Sequence, residues 1–394
     1  MTAPVLPALC IVAPLAWYFA ANRSLPRYKP SALLLTLALA GAYLLVNATW
    51  SLAPADAYRS VILFLAIVGM WHFTPNLLND IGEAPLRSMA IGYLAGLILV
   101  GAFQWLEMWT DQWAHRLVMT MVPRLRPDPI HMQVVADKVM HLAPHLANRS
   151  MTVLTLLFWP AVLIIACLRI PGLQRLCLLA ALVPIVVAVL SSAHTTSQIA
   201  LIGSAAVFGL SHLWPLLGKR LAMAGYSAAV LLAVPAAQLA YDNGLYRASW
   251  LPSSGQHRVV IWGHTAKETA KAPLLGAGMA SARATNSAGP DVPRAPGTNF
   301  ALSTGIHSHN AYLQIWYETG AAGALIALGL GLILLNSLSA EPEDLQPALS
   351  ATFAACALMA ASSFSIWAPW FMALLAVTAI LAALGAALAH AQRA

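Results

Sequence analysis

The sequence predicts an all-α polytopic integral membrane protein of about eleven or twelve transmembrane helices. Two observations carry this. Of 394 residues, 60% are hydrophobic and 9% charged, against about 25% charged in soluble domains. The apolar residues also come in blocks of roughly twenty, the length that spans a bilayer core, whereas a water-soluble fold of this composition would expose large apolar patches. Residues 1–394 read as a single membrane domain interrupted by two long connections, 110–149 and 241–310.

The first block, near 5–21, lacks a basic leader region and a small-residue cleavage site, so it reads as a retained span. Pro4, Pro7 and Pro14 also allow a hairpin of two short helices there, which makes the count twelve rather than eleven. Further spans are expected near 31–49, 59–78, 86–109, 150–169, 174–191, 196–213, 221–240, 311–337, 347–366 and 369–389. Cys10, Cys167, Cys177 and Cys356 all lie inside apolar blocks, with no C-x-x-C, and read as packing residues.

Positive charge sets the orientation. Arg23, Arg27 and Lys29, then Arg169 and Arg175, then Lys219 and Arg220 fall on one side by strict alternation, which makes that side cytoplasmic. The net charge of +7 is scattered between spans, a pattern that fits lipid head groups or an anionic lipid-linked substrate and not nucleic acid. Both long connections then lie on the extracytoplasmic side.

Within 110–149, the stretch DPIHMQVVADKVMHLAPHL places Met132, Val135, Ala136, Val139, Met140 and Ala143 on one helical face. That spacing predicts an amphipathic helix in the membrane interface or packed over the bundle.

Ionisable residues concentrate in 241–310, so chemistry is expected there. A helix is expected from Arg258 to Lys271, with Arg258, Trp262 and Thr265 on one face. A guanidinium grips a diphosphate with paired hydrogen bonds, and Arg258 is a candidate for that role. Gly276 and Gly278 of PLLGAG permit backbone conformations whose amides can cup an anion.

The segment HSHNAYLQIWYETG then enters a span, with Ser308 or Asn310 as its cap and Asn310, Gln314 and Tyr317 on a polar strip. His309 stands at its start beside His307, where a histidine near neutrality can take a proton from a hydroxyl. The alternative for both histidines is capping or snorkelling. H-x-H lacks a third ligand nearby, so no metal and no cofactor is expected. Within the membrane, SSAHTTSQIAL brings His194 into an apolar run, either as a functional group or as part of a helix-to-helix hydrogen-bonding cluster. Arg149 borders the next span at the same face and Arg247 opens the long loop.

This ordering of spans, late loop, Arg four residues before Trp, P-L-x-G-x-G and H-x-H-N-x-x-L-Q resembles the O-antigen ligase and O-antigen polymerase superfamily. The resemblance covers the whole chain in topology and is most specific over residues 255–320. It implies a GT-C-like glycosyltransferase of the bacterial inner membrane, with its site facing the periplasm. The donor would be an undecaprenyl-diphosphate-linked glycan, and in a ligase the acceptor would be a sugar hydroxyl of lipid A-core. The reaction would be inverting and metal-independent.

The family's loop histidine and arginine match His309 and Arg258, as catalytic residues. Its middle-span arginine is absent, which leaves His194, Arg149 or Arg247 to bind substrate alongside His307, Asn310, Gln314, Gly276 and Gly278. A polymerase and a protein O-oligosaccharyltransferase use the same donor class. The chain's ending soon after its last span argues against the latter. A lipid-linked sugar transporter would instead spread polar residues along a mid-membrane path, often in repeated halves.

Overall fold

A computed structural model describes residues 31–286, 292–362 and 364–393. The expected first span near 5–21 and its loop arginines lie outside these residues. The described chain is helical apart from one two-stranded hairpin. Among the described residues, seven helical stretches are long and apolar enough to cross a membrane: Ala32–Trp50, Glu83–Trp109, Pro144–Cys167, Gly172–Ser191, Thr195–Leu213, Ala311–Leu338 and Pro369–Ala391. An eighth is formed if Pro215–Leu231 and Ala233–Asp242, bent by 64°, make one broken span. The remaining two expected spans are also helices. Pro54–Asp80 carries Asp56, Arg59 and Asp80, and Gln346–Ala361 has 16 residues, short of a bilayer's thickness. The chain is an all-α, multi-pass membrane protein.

The chain divides into two compact units. One comprises Pro75–Pro215, Pro342–Met359 and Thr378–Ala394. Here α1 (Glu83–Trp109) packs on α2 (Asn148–Cys167) and α3 (Val183–Ser191), and α4 (Thr195–Leu213) closes the group. Trp159 on α2 stacks on Phe208 at 4.8 Å and donates its indole N–H to Ser204 Oγ at 2.7 Å, so its polar edge is satisfied inside the bundle.

The amphipathic helix expected within DPIHMQVVADKVMHLAPHL is instead a β-hairpin, Met132–Val135 paired antiparallel with Lys138–Leu142. The physical reason is its turn. Ala136 and Asp137 both take positive φ, 48° and 63°, the two-residue geometry that matches strand twist, and Val134, Val135 and Val139 favour extended backbone. The short helix Trp113–Met121 latches it: Thr120 Oγ1 accepts from Val139 N–H at 2.9 Å and Arg116 donates to the Met140 carbonyl at 2.6 Å. That helix buries none of its residues and exposes Trp113, Leu117, Val118 and Met121.

The other unit comprises, of the described residues, 31–74, Leu216–Glu341 and Ala360–Val377. Its axis is α5, Ala311–Leu338, flanked by α6 (Ala32–Asn47), α7 (Ala233–Asp242) and α8 (Ser253–Thr269). Helix α5 breaks at Gly320, where φ 62° and ψ −165° leave helical space. The break frees carbonyls that a continuous helix would use, and residues 273–278 insert to take them up. Ala277 N–H donates to the Tyr317 carbonyl and Gly278 N–H to the Glu318 carbonyl, both at 2.9 Å, while Ala321 N–H donates to the Pro273 carbonyl at 2.9 Å.

From α6, Asn47 reaches the same joint, donating to the Leu275 carbonyl at 3.0 Å and accepting from Met279 N–H at 2.7 Å. A Cβ on Gly320 would stand 2.5 Å from the Leu274 carbonyl and 2.6 Å from Gly276 N, backbone that cannot yield. Gly320→Ala, combining that overlap with a backbone region open to glycine alone, is expected to cost about 2–5 kcal/mol. The check is the apparent melting temperature of the detergent-purified variant, and an unchanged value would contradict this packing.

Candidate active site

Helix α8 starts at Ser253, five residues earlier than its spacing suggested, with Pro252 as a helix entry. Val259, Val260 and Ile261 bury one face; Val259 and Val260 pack with Tyr246, Ala295 and Phe300. Arg258, Trp262 and Thr265 share a stripe, as the spacing predicts. Trp262 Nε1 donates to the Ser308 carbonyl at 2.8 Å and so ties α8 to the H-S-H turn. Arg258 is half-buried and donates to Ser362 Oγ at 3.2 Å, a neutral partner. Among the described residues it makes no ion pair. Burial pulls its guanidinium below the ordinary arginine range. Even so shifted, an arginine stays cationic at neutral pH, so the turn carries a partly desolvated charge without a carboxylate.

The turn itself is built from polar contacts. Asn310 caps α5, its side chain accepting from Leu313 N–H at 3.1 Å, and Ser308 Oγ donates to the Asn310 carbonyl at 2.8 Å. His309 takes φ 53°, a left-handed conformation that a histidine adopts at a cost. Strain held at a single polar residue points to a functional constraint. His309 N–H donates to His307 Nδ1 at 3.1 Å, and the two rings lie 4.1 Å apart.

Because Nδ1 accepts that bond, neutral His307 carries its proton on Nε2. Burial first, then the positive neighbours His309, Arg258 and Arg283, lower the His307 pKa to about 3. The linkage follows. Between that value and the ordinary 6.5, the unfolded chain binds a proton that the folded one does not, so stability is whole above pH 6.5 and falls as the pH drops. Apparent melting temperature is expected to decline from about pH 7 to about pH 5, with this group contributing at most about 1.4 kcal/mol per pH unit. The slope should flatten in His307→Asn.

One turn further into α5, Gln314 and Glu318 form a buried polar node. Gln314 Nε2 donates to Ser365 Oγ at 3.0 Å and to Glu318 Oε2 at 3.2 Å, and its Oε1 accepts from Ile366 N–H at 3.3 Å. Glu318 is fully buried and accepts from Ala282 N–H at 3.1 Å and from the Trp367 indole.

The O-antigen ligase family model matches residues 148–328. Over that stretch the chain is similar to the O-antigen ligase family. The similarity supports a ligase- or polymerase-type function in broad terms. No curated protein matches the sequence.

The matched stretch 148–328 contains every candidate site residue singled out from the sequence, and the structure sorts them. Arg258, His307, His309 and Asn310 come together. Gly276 and Gly278 do not offer an anion cup: the amides of residues 276, 277, 278 and 279 are spent on Ala272, Tyr317, Glu318 and Asn47. Gln314 is buried with both ends of its amide engaged by protein, so it does not face a substrate. Exposed Arg247 lies over the Tyr246 ring and donates to the Pro296 carbonyl at 3.3 Å.

Arg149 and His194 belong to the other compact unit. There His194 is buried at the start of α4 with Nδ1 2.7 Å from Ser197 Oγ, and Arg149 is exposed in the first turn of α2. Among the described residues, no group of three or more His, Cys, Asp or Glu is placed to hold a metal ion. The reading of the sequence missed Glu318, Ser362 and the proximity of Arg283. Glu318 had a signal, a carboxylate inside an apolar span. Ser362 had none, since 104 residues separate it from Arg258.

Proposed function

We propose that this protein is an O-antigen ligase that transfers a glycan from undecaprenyl diphosphate to a sugar hydroxyl of lipid A-core at the periplasmic face of the inner membrane. The observation that carries the reading is the strained H-S-H turn beside a half-buried arginine without a carboxylate partner. Trp262, one helical turn after Arg258, ties that arginine's helix to the turn that carries His309, outside the apolar body of α5.

In the proposed step the acceptor hydroxyl oxygen attacks the anomeric carbon and gives its proton to the His309 imidazole. The bond from that carbon to the diphosphate oxygen breaks with inversion, and the electron pair leaves on undecaprenyl diphosphate. Arg258 neutralises the charge that grows there, with Arg283 adding positive potential. Stabilising charge as it develops in the transition state usually accelerates a reaction more than any other single effect. A diphosphate is a good leaving group, so the step needs no strong acid and, in this reading, no metal. His307, held neutral by burial and its positive neighbours, orients the turn through His309 N–H and does not compete for the proton.

The test is glycan transfer by the purified protein in detergent, with lipid A-core, undecaprenyl-diphosphate-linked O-antigen and EDTA. Ligated product that persists in EDTA and disappears in His309→Ala is the expected result. Longer donor-linked chains without ligation would replace the ligase reading with a polymerase. Neither product would overturn the enzyme reading in favour of a carrier, which needs two compartments.

A further inference from the structure

Glu318 is a carboxylate with no exposed surface, set in a helix that is otherwise apolar enough to cross a membrane. Such a group is costly to bury and persists where its hydrogen bonds are made. Its donors come from three separate pieces of chain. Gln314 lies on the same helix, Ala282 in the turn before Arg283, and Trp367 in the connection between the helices Gln346–Ala361 and Pro369–Ala391. Gln314 holds that connection twice more, at Ser365 and Ile366. The same connection supplies Ser362, the hydroxyl that accepts from Arg258. Arg283, whose charge is felt at His307, follows Ala282 directly.

We infer that Glu318 is a positioning residue for glycan transfer: its carboxylate, with Gln314, fixes the Ser362–Trp367 connection that braces Arg258 and the Ala282 turn that carries Arg283. The inference rests on the transfer reading above. Arg283 stands on the short Ala282 turn, and Arg258, on a well-packed helix, takes its side-chain partner from the Ser362–Trp367 connection. A buried acceptor that takes one N–H from the Ala282 turn and one from that connection sets their spacing in a way apolar packing does not. A fully satisfied polar node specifies one arrangement, and a partly satisfied one loosens.

Glu318→Gln tests this, because its shape is retained while one oxygen becomes an NH₂ facing N–H donors. Wild type, Glu318→Gln, Arg258→Lys and the double variant are compared in the detergent transfer assay, together with hydrogen exchange over residues 279–285 and 364–368. The expected result is faster exchange in both segments in Glu318→Gln and a fall in transfer of about 10–100-fold, the scale of an ångström's misplacement. In the Arg258→Lys background the same change should cost less, about 3-fold, because the part that acts through the Arg258 guanidinium is already lost and only the part through Arg283 remains.

Unchanged exchange would overturn the inference, as would faster exchange with unchanged transfer. Equal losses in the two backgrounds would mark general damage and overturn it as well. Wild-type protein without transfer would instead overturn the ligase reading, and the positioning role with it.

Discussion

Replacing His309 with alanine is expected to lower glycan transfer by about 10²–10⁴-fold, the usual contribution of a positioned proton acceptor. The folded protein should survive, because the capping bond of α5 comes from Asn310 and the turn is tied to α8 through the Ser308 carbonyl. One complication is built into the backbone. At φ 53° alanine is strained, so part of any loss in His309→Ala belongs to conformation and not to proton transfer. Asparagine tolerates this region far better, which makes His309→Asn the cleaner variant. Transfer lost in both variants, with the melting temperature of His309→Asn near wild type, would assign the effect to the imidazole. Transfer retained in His309→Asn would show that the left-handed turn is what matters, and would remove the histidine from the reaction.

Several elements of this fold were legible in the sequence because they rest on local regularities. Ten of the expected spans appear as helices, since twenty apolar residues in sequence have few other ways to satisfy their backbone in lipid. Arg258 and His309 stood out for other reasons, Arg258 as a guanidinium one turn before Trp262 in a polar loop and His309 as a histidine at the entry to an apolar span. The hairpin at Met132–Leu142 was misread because its apolar residues satisfy a helical period as well as they serve a strand pair, and its turn lacks the glycine that usually announces one. Gly276 and Gly278 did signal unusual backbone, and both have positive φ. The sequence could not say that the partner of that backbone is a break in another helix, at Gly320, more than forty residues on. The brace on Arg258 was illegible for the same reason. Long-range partners such as Ser362 and Trp367 have no local pattern, and Gln314 and Glu318 become a node only once the connection between two later helices folds over them.

Arg258→Ala is expected to abolish transfer as completely as the histidine change, by on the order of 10²–10³-fold or more. Arg258→Lys should restore part of it: a lysine keeps the charge and loses the fork that matches two phosphate oxygens. Stability provides the decisive contrast. Arg258 is half-buried with the Ser362 hydroxyl as its partner, so the folded state bears a desolvation cost that no carboxylate offsets. Removing such a charge while keeping its apolar length is often stabilising. Arg258→Met should therefore raise the apparent melting temperature by a few degrees, on the order of 1 kcal/mol, while transfer disappears. Undecaprenyl diphosphate added to wild type should raise its melting temperature as well, by supplying the missing anion, and should do nothing for Arg258→Met. A guanidinium kept for structure predicts the opposite sign in the first measurement, because losing it would then leave Ser362 and its connection loose and lower the melting temperature. A rise on losing the charge, together with a rise on binding a diphosphate only when the charge is present, is what a cation held ready for an anionic leaving group requires.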